Sequence, residues 1–211
     1  MNREASPSGD SGIQNRAKDH FPSVYLTTIS IIQGVALGIL VQNTFTKLPQ
    51  HGAQIVPYAA FTLVTIMLVS YEYMWFVALY ERAPDIWDAA VPFLLGTFEA
   101  GPSFFVHDPP NWWLLTALFS LVGAAAYWYS LSSSARGVSR KSPAIERAER
   151  DYQWDVAVSI AAAAYCFDAW LVLPRLKWHW LVTALLLVPP FAAMVCMIQM
   201  ERRFARRAST H

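Results

Sequence analysis

Long apolar segments dominate the pattern of hydrophobic and polar positions along this chain. A bilayer's hydrocarbon is about 30 Å thick and a helix rises about 1.5 Å per residue, so a span needs about 20 mostly apolar residues. Six segments meet this requirement, near 24–42, 55–80, 87–106, 112–132, 155–173 and 179–200. The alternating ten-residue pattern typical of a transmembrane β-barrel does not occur in the sequence. The pattern predicts an all-α, polytopic membrane protein, a six-helix transmembrane bundle.

Both ends of the chain are polar and lie outside these segments. Residues 1–20 have no apolar periodicity, which predicts a disordered tail, and residues 201–211 form a basic tail. The transmembrane domain is predicted to cover 21–200, without a separate soluble domain. The first apolar segment is as long as a span and lacks a small-residue cleavage pattern after it, so a signal peptide is not expected.

Basic residues are concentrated on one predicted side of the membrane. Short cytoplasmic segments retain Lys and Arg during insertion. The opposite side has only Lys47, Arg175 and Lys177 of the 16 basic residues in the chain. Six spans, an even number, place both termini on the same side of the membrane. The distribution of basic residues also places both termini on one side, so the two arguments agree. We expect a multi-pass protein of a plasma or bacterial inner membrane with cytoplasmic N- and C-termini.

Tryptophans are placed near both predicted membrane surfaces. Indole rings prefer the headgroup boundary, where one part of the ring system is apolar and the N–H remains hydrated. Trp87, Trp128 and Trp154 fall near the cytoplasmic ends of the predicted spans. The outer ends have Trp112, Trp113, Trp178 and Trp180. This arrangement predicts an aromatic belt on each side.

Composition narrows the classes of partner and cofactor. Charged residues make up 15% of the chain, against roughly 25% in soluble domains, and the net charge is +1. The expected partner is the lipid bilayer, and nucleic-acid binding is not expected. Cys166 and Cys196 both lie in apolar segments, which favours small buried side chains over a disulfide or metal pair.

None of the five histidines lies in the interior of a predicted span, His179 being the first residue of the sixth, and this disfavours haem ligation within the bilayer. His51, His107 and His179 share the predicted outer side with Asp108, an arrangement that permits a metal or pH-sensing site if the connectors converge. Loop histidines without local spacing are usually unrelated, so neither a metal site nor a cofactor is predicted.

Small residues and prolines indicate how the helices pack and bend. Gly34 and Gly38 lie four residues apart in the first span, a spacing that lets two helices approach closely, within the bundle or in a homo-oligomer. Prolines inside spans remove an amide donor, free the carbonyl four residues earlier and kink the helix. The predicted breaks are at Pro92, Pro102, Pro189 and Pro190. They are either packing kinks or sites where freed carbonyls line a cavity.

Three acidic residues within the predicted spans are the strongest functional indication. An ionisable residue in hydrocarbon costs roughly 2.5–3.5 kcal/mol on insertion scales, so it normally faces the bundle interior or water. Glu72, Glu99 and Asp168 have no Lys or Arg at comparable depth. Helical spacing adds further polar neighbours on the same faces, namely Thr62, Thr65, Asp88 and Ser103. These residues are predicted to line a transport path, unless each acid is neutral and hydrogen-bonded to a neighbouring helix.

The leading interpretation is a small channel or transporter subunit for protons or cations. An alternative is a membrane-embedded sensor, anchor or effector that acts through partner proteins or lipids, using the basic connector 133–154. An intramembrane lipid-modifying enzyme is less favoured, because no phosphate-binding, metalloprotease or serine-nucleophile motif occurs in the sequence. No catalytic residue is predicted.

Overall fold

The protein is predominantly helical in the computed structural model, which describes residues 9–78, 86–137, 143–173, 185–192 and 194–195. The helices are α1 (Gly9–His51), α2 (Val56–Ala78), α3 (Ile86–Phe104), α4 (Pro109–Gly137) and α5 (Pro143–Val172). Residues 185–192 and 194–195 are also helical and are called the C-terminal helical segment. Within the described ranges there is no strand, so the all-α prediction is confirmed for this part of the chain.

Three stretches of these helices are long and apolar enough to span a membrane. They are His20–Met74, Pro109–Ser132 and Gln153–Val172. Large apolar side chains also cover their outer surfaces, as shown by Ile31, Phe45 and Met67, each more than 60% exposed. Such extensive outward-facing apolar surface is unfavourable in water and favourable in lipid. Together these features indicate a membrane protein.

The stretch His20–Met74 folds back on itself. A 3₁₀ turn covers Gly52–Ile55, and Gly52 has a φ of 62°, a left-handed conformation that is favourable for glycine because it lacks a Cβ. Near the two ends of the stretch, the rings of Tyr25 and Tyr73 are 5.9 Å apart between centroids. α1 and α2 are therefore antiparallel neighbours.

The helices continue beyond the apolar segments that predict them. α1 begins at Gly9 and so includes residues 9–20, for which the sequence predicts disorder, and α4 and α5 extend into the predicted connector 133–154. Once a helix has formed, adding a residue is far easier than nucleating a new one, and these polar segments contain Ala, Glu and Arg, which favour helix. Residues 1–8 and 201–211 lie outside the described residues.

A dense aromatic core fills the end of the bundle next to the 3₁₀ turn. Ile55, Trp112 and Trp113 are almost completely buried, and the ring centroids of Tyr58 and Trp112 are 4.9 Å apart. The short connection after α3 brings the start of α4 against α2, and Trp112 Nε1 donates a hydrogen bond to Thr62 Oγ1 at 3.0 Å. We call this region the aromatic end.

The aromatic end also changes the interpretation of two tryptophans. Trp112 and Trp113 are predicted to be belt residues at the outer surface, but the structure buries both in the core. Trp87, Trp128 and Trp154 are instead more than half exposed, as expected of belt residues. Trp178 and Trp180 lie outside the described residues. A sequence shows that an indole is near the end of a span, but only the packing decides which way it faces.

Candidate functional site

Glu99 is buried in a direct contact between α1 and α3. Its side chain is 2% exposed, and Gln33 Nε2 donates a hydrogen bond to Glu99 Oε2 at 2.8 Å. Among the described residues, Glu99 Oε1 and Gln33 Oε1 are buried and accept no hydrogen bond. This geometry matches the alternative in which the acid is hydrogen-bonded to a neighbouring helix. Sequence analysis did not single out Gln33, although a lone amide within an apolar span is the signal that could have identified it.

The same contact requires a glycine on α3. A Cβ built on Gly96 would overlap Cγ2 of Ile32, so α1 and α3 approach too closely for any other residue without a shift. We call Ile32, Gln33, Gly96 and Glu99 the α1–α3 contact. Gly34 and Gly38, predicted to allow close packing, are exposed, and no described atom lies within 4 Å of a Cβ built on either. Within this chain, the close approach occurs at Gly96.

Glu72 lies where two interior cavities meet. Val69, Glu72, Gly123 and Tyr127 line both. The volumes are about 640 and 710 Å³, each including the part open to the surface. The first cavity is also lined by Tyr25, Tyr73, Val91, Leu95, Ala126, Tyr129 and Ser130. The second is also lined by Phe61, Thr65, Leu68, Thr116, Phe119, Ser120, Val158, Ser159, Ala162, Cys166, Pro190 and Met194. We call these two cavities together the Glu72 cavity.

Gly123 helps to keep this space open. A Cβ built on Gly123 would have no described atom within 4 Å, although the residue lines both parts of the cavity. The absence of a side chain on α4 therefore leaves room opposite Glu72 on α2. Cys166, which the sequence predicts to be a small buried side chain, is indeed buried and forms part of the cavity wall. Cys196 lies outside the described residues.

Thr65 connects the surroundings of the two glutamates. It lines the Glu72 cavity and also a smaller cavity of about 220 Å³ that contains Glu99, Thr62 and Pro102. Thr62 is engaged within the structure, because it donates to the Tyr58 carbonyl at 2.8 Å and accepts from Trp112. The structure therefore brings Thr65 and Glu72 to one cavity and Thr65 and Glu99 to another.

The remaining predicted path residues are placed differently. Ser103 is fully buried in α3, and its hydroxyl donates to the Glu99 carbonyl at 3.2 Å. Asp168 is exposed on α5 and is not among the residues that line the cavities around Glu72 and Glu99. Asp88 belongs to α3, but its side chain lies outside the described part of the chain. The structure therefore does not bring Asp168 together with the two glutamates.

The proline breaks are partly compensated by neighbouring helices. Pro190 frees the carbonyl of Leu186, and Tyr165 Oη on α5 donates a hydrogen bond to this carbonyl at 2.7 Å. Pro190 also lines the Glu72 cavity, whereas Pro189 is exposed. In α3, Pro92 and Pro102 are both buried. At Leu186, the freed carbonyl thus serves helix packing, which is the simpler of the two interpretations of these breaks.

Two histidines approach each other outside the spans. The rings of His51 and His107 are 5.8 Å apart between centroids. Desolvation lowers the pKa of His107, as do the nearby Lys47 and His51, while Asp108 opposes this effect. Asn111 Nδ2 donates to Asp108 Oδ2 at 2.7 Å. No cluster of three or more metal-ligating side chains occurs in the described part of the chain, and His179 lies outside it.

Comparison with protein-family models, with curated proteins and with solved structures finds no match for this chain. The function must therefore be argued from the site itself. Its distinguishing feature is an acid on α2 that borders two cavities within an apolar helical protein.

Proposed function

We propose that this protein is a small integral membrane transporter or channel subunit for protons or cations, and that Glu72 is its ion-binding group. The observation behind the proposal is that Glu72 borders two neighbouring cavities within the helical bundle. In the proposed topology, His20–Met74 contributes two spans, one from α1 and one from α2, and α3, α4, α5 and the C-terminal helical segment bring the number to six. Both termini are cytoplasmic, in a plasma or bacterial inner membrane, as the distribution of basic residues predicts.

The extent of the Glu72 cavity along α2 supports a path through the interior. The cavity reaches from Tyr73 to Phe61, roughly 18 Å at about 1.5 Å per residue. This distance is more than half of the approximately 30 Å of hydrocarbon. Beyond Phe61 lies the aromatic end, where the indole rings of Trp112 and Trp113 are fully buried. The proposed transporter is therefore open toward the side that the sequence predicts to be cytoplasmic and closed at the other end.

The second glutamate extends the proposed path beyond the main cavity. Thr65 borders both the Glu72 cavity and the smaller cavity beside Glu99. A rearrangement that breaks the Gln33–Glu99 hydrogen bond would expose Glu99 to the ion that leaves Glu72. In this proposal Glu72 binds first, Thr65 lines the passage, and Glu99 responds only when α1 and α3 move apart.

The outer surface of α1 supports a contact between copies of the chain. Gly34 and Gly38 are exposed, and no described atom lies near a Cβ built on either. Two glycines at this spacing allow a second helix to approach closely. We include a homo-oligomer packed through this face in the proposal. Cross-linking of single-cysteine variants at these positions, in a cysteine-free background, would detect it.

Ion flux into liposomes tests the proposal directly. Purified protein is reconstituted, a pH or cation gradient is imposed, and the initial flux is compared for wild type, Glu72→Gln, Glu99→Gln and Asp168→Asn. We expect at least a tenfold loss for Glu72→Gln and near wild-type flux for Asp168→Asn, because Asp168 is exposed outside the cavities. Unchanged flux in Glu72→Gln would exclude Glu72 as the ion-binding group.

The same preparation distinguishes the alternative class. A folded protein without flux that co-purifies with a stable partner would favour a sensor, anchor or effector. Thermal unfolding of each variant in detergent separates a transport defect from loss of the fold.

A further inference from the structure

The walls of the Glu72 cavity are better suited to an organic molecule than to a bare metal ion. A desolvated Ca²⁺ or Mg²⁺ needs about six or more oxygen ligands. Among the described residues that line the cavity, Glu72 is the one acid, and Lys, Arg and His are absent. Most of the remaining wall consists of aliphatic and aromatic side chains, including Val69 and Leu95. Such a surface favours burial of hydrocarbon.

The space beside Glu72 is larger than the space beside Glu99. The two parts of the Glu72 cavity enclose about 640 and 710 Å³, each including the part open to the surface, whereas the cavity beside Glu99 encloses about 220 Å³. Of the two glutamates, Glu72 therefore has more room for a ligand beside it.

Aromatic rings near Glu72 add a preference for positive charge. Tyr25, Tyr73, Tyr127 and Tyr129 line the first part of the cavity together with Glu72. The face of a tyrosine ring attracts a cation that lies within about 6 Å of its centre, and the attraction is stronger where water is excluded. When it is ionised, a carboxylate beside several such rings complements a single diffuse positive charge.

We infer that the Glu72 cavity binds lipophilic organic monocations, with the charged centre between Glu72 and the tyrosine rings and the hydrocarbon part against the aliphatic wall. This inference rests on the proposed function for the role of Glu72 in transport, but ligand binding can be measured separately. The bound cation and a proton compete for the same carboxylate, so acidification should weaken binding.

Binding of tetraphenylphosphonium to the purified full-length protein in detergent tests the inference. Equilibrium dialysis with labelled cation gives the affinity, with empty micelles as the blank. We expect saturable binding, and at least tenfold weaker binding of tetramethylammonium, which has the charge without the hydrocarbon. The neutral analogue triphenylphosphine oxide should bind wild type and Glu72→Gln with the same affinity.

Two variants change the cavity in independent ways. Glu72→Gln removes the charge, with Asp168→Asn as the matched control because it neutralises an exposed acid. Gly123→Leu fills the space without changing charge, with Ala125→Leu as the matched control at an exposed position of the same helix. Each cavity variant should weaken tetraphenylphosphonium binding at least tenfold, and each control should leave it unchanged. If Glu72→Gln does not fold, the Gly123→Leu comparison decides the question.

Equal binding of tetraphenylphosphonium by wild type and both cavity variants, or equal affinity for tetramethylammonium, would overturn the inference. The outcome is separable from that of the proposed function. Proton flux in liposomes without tetraphenylphosphonium binding would reject this ligand class and leave transport standing. If the protein binds tetraphenylphosphonium with the expected preference and variant effects but shows no flux, the transport proposal is rejected and the ligand class is retained.

Discussion

A buried glutamate lies in each of two regions, the α1–α3 contact and the Glu72 cavity, and the surroundings of the two glutamates differ. Glu99 accepts a hydrogen bond from Gln33 where two helices touch across Gly96. Glu72 faces space that Gly123 leaves open between α2 and α4. In the first region a glycine brings two helices together, and in the second a glycine keeps a volume free. An acid within a membrane span therefore does not by itself indicate a transport site, because its surroundings decide its role.

The largest effect is expected from filling the α1–α3 contact. Gly96→Leu forces a side chain into the space of Ile32, and overpacking of this kind costs typically 1–3 kcal/mol and occasionally more. We expect a loss of about 3 kcal/mol in the free energy of unfolding, measured by SDS titration in mixed micelles. Ala125→Leu places the same side chain on the exposed face of α4 and should remain within about 1 kcal/mol of wild type. Similar losses in both variants would show that the contact at Gly96 is not close.

The next largest loss of stability is expected from removing the hydrogen bond between α1 and α3. Gln33→Leu leaves the buried Glu99 without its donor, and we expect a loss of about 1–2 kcal/mol. The double variant Gln33→Leu/Glu99→Leu should recover most of this loss, since both polar groups are then removed. A double-mutant cycle of unfolding free energies measures the coupling. A coupling energy indistinguishable from zero would mean that the pair contributes nothing to the contact.

A smaller effect, a gain in stability, is expected from a substitution in the Glu72 cavity. Gly123→Ala adds a methyl group where no described atom lies within 4 Å, and alanine favours helix over glycine by roughly 0.5–1 kcal/mol. The variant should be slightly more stable than wild type, whereas Gly96→Ala, with the same chemical change, should be less stable. Thermal unfolding of the two variants side by side makes this comparison. Destabilisation by Gly123→Ala would indicate that the space is already filled.

The smallest expected effect is a loss of stability at acidic pH. It arises from His107, which belongs neither to the α1–α3 contact nor to the Glu72 cavity. The pKa of His107 is lowered from its usual value of 6.5, first by desolvation and then by Lys47 and His51. The folded state therefore favours neutral His107. This contribution is fully present above pH 6.5 and is lost as the pH falls through the folded pKa. Unfolding followed between pH 8 and pH 5 should show less acid destabilisation in His107→Asn than in wild type.

His107→Asn also sharpens the comparison between the two glutamates. Any pH dependence of ligand binding at Glu72 should persist in this background, since His107 lies outside the cavity. If ligand binding no longer depended on pH in His107→Asn, the pH dependence would be caused by His107 and not by Glu72.

Some features of the fold and the site were predictable and others were not. The helical state and the membrane-spanning length follow from runs of apolar residues, which are local properties. The acids at positions 72 and 99 are also identifiable, because charge within an apolar run is visible without any partner. Gln33 and Gly96 were missed as contact residues, since the partner of each is 66 or 64 positions away in the chain. The Gly34 and Gly38 pair has the better-known spacing, yet the described helices meet elsewhere.

The sequence alone determined that this chain forms long apolar helices with acids inside them, because hydrophobicity and helix length depend on neighbours along the chain. Only the tertiary structure decided which acid is in a packed contact and which faces a cavity, and that Trp112 and Trp113 are core residues. These properties depend on the distance between helices, and that distance is set by small residues whose partners are remote in sequence. The different environments of Glu72 and Glu99 are therefore a consequence of helix packing.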